Sequence, residues 1–150
     1  MTRREWITRT AAVVPAAWLL AADEWKESDL VKPAALAERL KSGAKPMILQ
    51  VGFAVQFKTK HIPGAIYAGP GRTPEGIETL KKAVADIAKD REIVVYCGCC
   101  PWDKCPNMKP AFAWLRENGF KNVKALVIPD NFGKDWADQG YPTESAAPTA

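Results

Sequence analysis

Two patterns of apolar residues alternate along this chain, short continuous runs and residues spaced three or four apart. This alternation predicts strands and helices in turn. Short apolar runs are typical of buried strands, and the predicted strands cover 47–51, 66–67, 92–96 and 123–128. Apolar residues at steps of three and four are typical of helices, which are predicted over 31–40, 74–87, 112–118 and 131–139. The segment 52–60 is predicted to be a loop. Strands that alternate with helices favour an α/β domain, with a parallel sheet flanked by helices on both faces.

Residues that start or stop helices mark several of these boundaries. Thr73 can cap a helix that is opened by Pro74, and Gly119 is a natural helix terminator. Small residues dominate the segment 144–150, which is predicted to be a disordered tail. The sequence contains no internal repeat and no interdomain linker, so residues 23–143 are interpreted as one domain.

Residues 1–22 have the form of an export signal peptide. A charged head that contains Arg3 and Arg4 precedes a short apolar run, and small residues end near Ala22. The adjacent arginines resemble a twin-arginine signal, and a Sec signal or an amphipathic helix are the alternatives. The apolar run is too short to span a bilayer, so stable membrane insertion after signal removal is not expected. The protein is therefore expected in the periplasm or otherwise exported, where clustered thiols need pairing or protection.

The charge distribution is informative only because it argues against one class of partner. The chain has 150 residues and a formal net charge of +4, half of which comes from the three Arg and one Glu of the leader. The remaining 18 basic and 16 acidic residues form no basic stripe interleaved with aromatic residues. Such a balance argues against a nucleic-acid partner.

All four cysteines lie within nine residues, 97–105, directly after the predicted strand 92–96. Open α/β sheets bind their ligands at the carboxyl ends of strands, so Cys97 is expected at that edge. Loop N–H groups at such an edge form a concavity that binds anions, and the same field lowers the pKa of a thiol. Cys97 is therefore predicted to be a reactive thiolate, and sulfur chemistry is expected at this loop.

Five landmarks follow one another in an order that resembles a known family. They are the strand Ile48 to Val51, the run His61-Ile62-Pro63-Gly64-Ala65, the segment Val94-Val95-Tyr96-Cys97, the segment Gly119-Phe120-Lys121-Asn122-Val123, and Phe132 to Trp136 with Gly140-Tyr141-Pro142. Their order and spacing over about residues 30–143 resemble a single rhodanese-like (sulfurtransferase) domain. The resemblance implies a parallel sheet of about five strands flanked by helices.

The same resemblance implies the chemistry of the cysteine loop. Cys97 would be the nucleophile that carries sulfur as a persulfide, between a small sulfur donor and a thiol or protein acceptor. The residues that would surround this persulfide are Gly98, Cys99, Cys100, Trp102, Asp103 and Lys104. No cofactor is expected for this reaction, and the oligomeric state is left open.

Two departures from the family pattern bear on the site. Gln50 and Gly52 stand where the first family strand usually ends in an Asp-x-Arg pair, so this end must be held differently. The loop after Cys97 is longer than usual, and Asp103 stands where a Cys-x5-Arg spacing would require Arg. The missing Arg argues against the related phosphatase chemistry, which needs a guanidinium fork for phosphate.

Side chains near the cysteines, and the only histidine, are open to more than one interpretation. Lys104 and Lys109 could replace the missing Arg as point charges for an anionic donor. Trp102 could cover the loop or simply pack against it. Asp103 could raise the pKa of the neighbouring thiol or cap the following helix. The resemblance places His61 in a structural turn, which argues against hydrolase chemistry of the Cys–His type.

The additional thiols leave alternatives to simple sulfur carriage. Cys99, Cys100 or Cys105 could resolve a persulfide on Cys97 and form a disulfide, and the same cluster could serve a thiol–disulfide redox protein. The four thiols could instead surround Zn, Cu(I) or an Fe–S centre as a metal-binding module. A last interpretation is a loop stapled by disulfides that binds a partner without catalysis.

Overall fold

The computed structural model describes residues 25–146, and the predicted export signal and the last four residues lie outside this range. The strands are β1 (Leu30–Val31), β2 (Met47–Gln50), β3 (Ile66–Tyr67), β4 (Ile93–Tyr96) and β5 (Val123–Leu126). The helices are α1 (Pro33–Lys41), α2 (Ala54–Thr59), α3 (Pro74–Ala83), α4 (Met108–Glu117) and α5 (Phe132–Asp135), with 3-10 turns at Glu27–Asp29 and Ala137–Gln139. The strands form one parallel sheet in the order β1–β5–β4–β2–β3.

Helices cover both faces of the sheet because successive strand residues point into two different cores. Ile93, Val95 and then Cys97 contribute to the core that contains α3 and α4. Val94 and Tyr96 contribute to the opposite core, which contains α1 and α5. The predicted fold class, a single α/β domain with a parallel sheet flanked by helices, is confirmed. Within 25–146, no helix is both long and apolar enough to cross a membrane.

Helix ends agree with the sequence where a local signal specifies them. The Thr73 hydroxyl oxygen caps α3 by accepting a hydrogen bond from the Gly76 N–H at 3.0 Å. Gly119 follows α4 with a φ of +88°, a left-handed conformation that favours glycine. The apolar stripe predicted a helix as far as residue 87, but α3 ends at residue 83. Ile87 still packs against the core, because the chain turns there instead of continuing as a helix.

Other elements also differ from the predicted pattern, and α4 begins at Met108, before the predicted start at residue 112. The predicted loop over 52–60 contains α2, which buries no residue and so has no apolar stripe that would announce it. The helix predicted from Val31 begins at Pro33, because Leu30 and Val31 form β1 beside β5 and Lys32 occupies the N-cap position. A strand this short is specified by its partner rather than by its own pattern. The helix predicted over 131–139 is interrupted at Trp136, which separates α5 from a 3-10 turn.

His61 has a structural position, and it fixes the start of the predicted tail. Its Nδ1 lies 2.6 Å from the Phe57 carbonyl oxygen, and its Nε2 lies 3.1 Å from a carboxylate oxygen of Glu144. The backbones of His61 and Glu144 also exchange hydrogen bonds in both directions. These contacts involve the first part of the segment 144–150 that was predicted to be a disordered tail, and residues 147–150 lie outside the described residues.

Candidate functional site

Cys97 is the first residue after β4, at the carboxyl edge of the sheet and near its centre. Its side chain is only 3% exposed, yet it lies in the wall of a cleft of about 490 Å³. The ends of β2 and β4, helix α2 and the start of α5 form this cleft. A larger groove of about 1190 Å³ lies near the amino ends of the strands and contains none of the cysteines. A reactant in the smaller cleft would therefore meet the Cys97 side chain.

Gln50 holds the strand end that departs from the family pattern. Its buried side-chain amide donates a hydrogen bond from Nε2 to the Cys97 carbonyl oxygen at 3.1 Å. Its Oε1 accepts a hydrogen bond from the Gly52 N–H at 3.2 Å. One neutral side chain thus ties the end of β2 to the start of the cysteine loop. A neutral amide also avoids the desolvation cost of burying an ion pair at this position.

Gly52 leaves the space in which the Cys97 sulfur lies. A Cβ at this position would be 2.8 Å from Cys97 Sγ and 2.9 Å from the Cys97 carbonyl oxygen. Both distances are shorter than the contacts that side chains tolerate, and the second group is backbone that cannot rotate away. The departure at this position, noted from the sequence, therefore has a steric reason.

Asn107 is a site residue that sequence reasoning missed. Its side chain is fully buried, and its Nδ2 donates toward Cys97 Sγ at 3.5 Å. Its Oδ1 accepts a hydrogen bond from the Arg72 N–H at 3.2 Å. An Asn directly before a helix predicts a capping residue. Asn107 does occupy the N-cap position of α4, but its side chain makes no capping bond and is directed at the sulfur instead.

The four cysteines are free thiols, and three of them converge. The Sγ atoms of Cys97, Cys99 and Cys105 all lie within 4.8 Å of one another. Cys99 Sγ is 3.2 Å from Cys97 Sγ and 3.9 Å from Cys105 Sγ. Cys100 Sγ is 3.0 Å from Cys99 Sγ but does not belong to the mutual group. Gly98, with a φ of +88°, makes the turn that returns Cys99 to Cys97.

The resting charge of this cluster differs from the prediction. Interaction with Cys105, followed by burial, raises the pKa of Cys97 far above its ordinary value, although the Cys99 N–H opposes the rise. The same interaction lowers the pKa of Cys105 to about 5, and the Asn107 N–H contributes to this. Burial and the neighbouring thiols raise the pKa of Cys100 to about 12. The interaction between these two thiols therefore favours a thiolate on Cys105 over one on Cys97, which is the opposite of the direction expected from the loop field alone.

Trp102 packs against the loop from the side of the core. Its ring centroid lies 5.3 Å from that of Trp25, which in turn lies 4.8 Å from the ring of Phe112. Its backbone N–H donates to the Ile128 carbonyl oxygen at 3.0 Å. Trp102 is thus partly buried between the loop and the core, and it does not line the cleft beside Cys97.

The charged residues of the loop lie away from the sulfur atoms. Asp103 and Lys104 are both exposed, and so is Lys109 on α4. Asp103 does not cap α4, because that helix begins at Met108 and its N-cap position is residue 107. Among the described residues, neither lysine makes a hydrogen bond or an ion pair with the cysteine cluster, so the replacement of the missing Arg by a lysine finds no support. The sulfur atoms are instead approached by neutral N–H donors.

Fold and site together define the class: one α/β domain with a cysteine at the carboxyl end of a central parallel strand. The family model for the rhodanese-like domain matches residues 32–127. The chain belongs to the rhodanese-like domain family, as its sequence landmarks predicted. A comparison with curated proteins finds no match.

Solved structures from several sources share this fold. The Alr3790 protein from Anabaena sp. is 26% identical, with a TM-score of 0.61 and coverage of 78% of this chain and 93% of that one. The BH2092 protein from Bacillus halodurans is 23% identical, with a TM-score of 0.63 and coverage of 86% and 84%. A structure of EanB with a cysteine persulfide and ergothioneine is 21% identical, with a TM-score of 0.58 and coverage of 77% and 28%. The last two likenesses show the fold alone.

Proposed function

We propose that the protein is a sulfurtransferase or persulfide sulfur carrier whose nucleophile is Cys97. The observation that carries this proposal is the position of the Cys97 sulfur in the cleft wall, with the Cys99 N–H and the Asn107 amide directed at it. Such donors stabilise negative charge on a sulfur held between them. The family supports sulfur transfer in general, and the persulfide in EanB, which is related in fold, supports this intermediate.

In the loading step, Cys97 attacks the outer sulfur of a small donor in its thiolate form, and its proton passes to the leaving donor or to water. A new S–S bond forms on Cys97 while the bond between the donor and its outer sulfur breaks, and the donor leaves with that electron pair. Cys97 then carries one additional sulfur as a persulfide. The cleft holds one exposed cation, Lys60, and one exposed anion, Asp138, so its charge does not select a strongly anionic donor.

Gln56 gives the cleft an unused hydrogen-bond acceptor. Its side-chain oxygen is buried and has no hydrogen-bond partner among residues 25–146, and the residue lines the cleft beside Cys97. Buried polar atoms are normally paired, so a bound reactant with an N–H group would satisfy this oxygen. This feature favours thiols with amide groups, such as peptide thiols, over inorganic sulfur donors.

A comparison of two donors tests the proposed activity. The reduced full-length protein is incubated with thiosulfate or, separately, with glutathione persulfide, and its intact mass is measured. We expect a gain of the mass of one sulfur atom, faster with glutathione persulfide, and loss of that mass on addition of cyanide. No gain with either donor would contradict the proposed function.

Gly52→Ala is expected to slow loading, because the new methyl group displaces the Cys97 sulfur from its position between the two donors. A displacement of about 1 Å at a reacting atom costs up to about 100-fold in rate, so we expect loading to fall by roughly 10- to 100-fold. The rate of mass gain with glutathione persulfide measures this effect.

Gly133→Ala is the matched control for that substitution. Gly133 also lines the cleft, but a Cβ there would meet only the side-chain oxygen of Asn131, at 3.2 Å, and no atom of Cys97. Loading by the control should stay close to that of the unmodified protein. Equal rates for the two alanine variants would show that the space at Gly52 is not used to position Cys97.

Release of the sulfur has two routes in this cleft. An external thiolate can attack the outer sulfur of the persulfide and carry it away. A second route is favoured by the 3.2 Å separation of the Cys97 and Cys99 sulfur atoms. The Cys99 thiolate would attack the inner sulfur, form a disulfide with Cys97 and release the outer sulfur as sulfide. The two thiols are oxidised as that sulfur is reduced, and an external dithiol must then reduce the disulfide.

Cys99→Ser separates these two routes. Loading should persist because Cys97 is unchanged, whereas sulfide release in the absence of an external thiol should fall at least ~10-fold. Methylene-blue detection of sulfide and the intact mass of the loaded protein measure the two steps. Sulfide release that is unchanged in Cys99→Ser but lost in Cys105→Ser would assign the internal step to Cys105 instead.

We also propose that this chemistry takes place after export, on the basis of the leader over 1–22 and the exposed position of the cleft. In an oxidising compartment, the disulfide formed by the second route would need a dedicated reductant. Recovery of the protein from the periplasmic fraction, with a mass that lacks the leader, tests this proposal. Recovery of the uncleaved chain from the cytoplasm alone would contradict it.

A further inference from the structure

Three sulfur atoms in the cleft wall have the spacing of a metal-ligand set. Cys97, Cys99 and Cys105 place their Sγ atoms within 4.8 Å of one another, and Cys99 Sγ lies 3.2 Å from Cys97 Sγ and 3.9 Å from Cys105 Sγ. A metal–thiolate bond is about 2.3 Å long, which puts ligand sulfurs about 4.0 Å apart in a trigonal plane and about 3.8 Å apart in a tetrahedron. The 3.2 Å separation between Cys97 Sγ and Cys99 Sγ has to open by less than about 1 Å to reach either value.

The backbone fixes two of these ligands and leaves the third adjustable. Cys97 and Cys105 are both buried, at 3% exposure each. Cys97 is held at the end of β4 by Gln50, and the Cys105 carbonyl oxygen accepts a hydrogen bond from the first N–H of α4. Cys99 lies on the turn made by Gly98 and is partly exposed. A small rotation of the Cys99 side chain therefore lengthens its distance to Cys97 Sγ without moving the sheet.

The ligand types and their number decide which ion fits. All three ligands are thiols, which favour soft ions such as Cu(I) over ions that prefer oxygen. Structural zinc sites almost always have four ligands. The fourth cysteine, Cys100, contacts Cys99 but lies outside the mutual group. Three converging thiols, two of them buried and without a fourth member in the mutual group, match the low coordination number of Cu(I) better than that of zinc.

We propose that Cys97, Cys99 and Cys105 form a trigonal binding site for Cu(I), in addition to the sulfur chemistry of Cys97. The two uses exclude each other, because a metal-bound Cys97 sulfur cannot attack a donor and a persulfidated Cys97 no longer presents the same thiolate. Copper would therefore switch off sulfur loading, and loading would protect the site from copper. The cleft is the entry path for both.

Anaerobic titration of the reduced full-length protein with Cu(I), in competition with bicinchoninate, tests this site. We expect one equivalent of Cu(I) per chain, with X-ray absorption showing three sulfur neighbours at about 2.3 Å. Cys99→Ser and Cys105→Ser should each weaken binding at least ~100-fold, since changes outside the ligands of a metal already cost about 10–100-fold. Cys100→Ser is the matched control and should retain both the stoichiometry and the affinity.

Several outcomes would overturn the proposed copper site. They are an equal loss of affinity in Cys100→Ser, binding that is unchanged in Cys99→Ser, and displacement of Cu(I) by an equal concentration of Zn(II). Circular dichroism confirms that each variant is folded. Copper binding is measured without a sulfur donor, and sulfur loading is measured without copper. Failure of the copper site therefore leaves the proposed sulfur carrier standing, and failure of sulfur loading leaves the copper measurement intact.

Discussion

Replacement of Cys97 by serine is expected to abolish sulfur uptake, to below the detection limit of intact mass spectrometry. A serine oxygen cannot form a persulfide, and the remaining thiols lack the pair of donors that surrounds the Cys97 sulfur. The fold should survive, because serine is slightly smaller than cysteine and its hydroxyl can accept the Asn107 hydrogen bond. Incubation with glutathione persulfide, followed by intact mass measurement, reports the effect.

Cys100→Ser is the control for this loss. Cys100 lies in the same loop and contacts Cys99, but its sulfur does not belong to the group of three mutually close sulfurs that includes Cys97. Its pKa is raised to about 12, so it contributes little thiolate at neutral pH. The control should load sulfur as the unmodified protein does. Sulfur uptake by Cys97→Ser at the original rate would reject Cys97 as the carrier.

Asn107→Asp is expected to produce the second large effect. The substitution keeps the oxygen that accepts the Arg72 N–H but replaces the N–H donor beside Cys97 Sγ by a carboxylate oxygen. The lost hydrogen bond to a charged group is worth about 1.5–3 kcal/mol, which corresponds to roughly 10- to 150-fold in loading rate. Repulsion between the buried carboxylate and the anionic sulfur adds to this loss.

A second Asn→Asp substitution in the same cleft provides the comparison. Asn131 lines the cleft and caps α5, with its side-chain oxygen accepting the Lys134 N–H at 2.9 Å. Aspartate can make the same capping bond, so Asn131→Asp adds a charge to the cleft without facing the sulfur. Loading should fall in Asn107→Asp and change little in Asn131→Asp. Similar loading rates for both variants, in folded protein, would show that the Asn107 amide does not assist the Cys97 sulfur.

The sheet was predictable from the sequence because its strands are buried on both faces. The runs around β2, β4 and β5 are apolar apart from Gln50 and Lys124, and they alternate with amphipathic helices. The elements that escaped prediction have no such signal. Helix α2 buries no residue, and β1 is a two-residue strand that exists only because β5 is available for pairing.

The candidate site was predictable in position but not in its electrostatics. The order of strand and cysteines places Cys97 at the carboxyl edge of the sheet. Local sequence does not reveal that Gln50 and Asn107, far apart along the chain, both contact the Cys97 residue. It also does not reveal that Cys105 returns to within reach of Cys97, where the interaction between the two thiols lowers the pKa of Cys105. These features depend on packing between distant segments, and no pattern within one segment encodes them.

The central claim is that the transferred sulfur resides on Cys97. Mapping of the persulfide by mass spectrometry of peptides, after loading with glutathione persulfide and alkylation under anaerobic conditions, tests it most directly. The account predicts the additional sulfur on Cys97 in the Cys99→Ser background, where internal release is blocked. Additional sulfur that is found mainly on Cys105, the residue with the lowered pKa, would contradict the account.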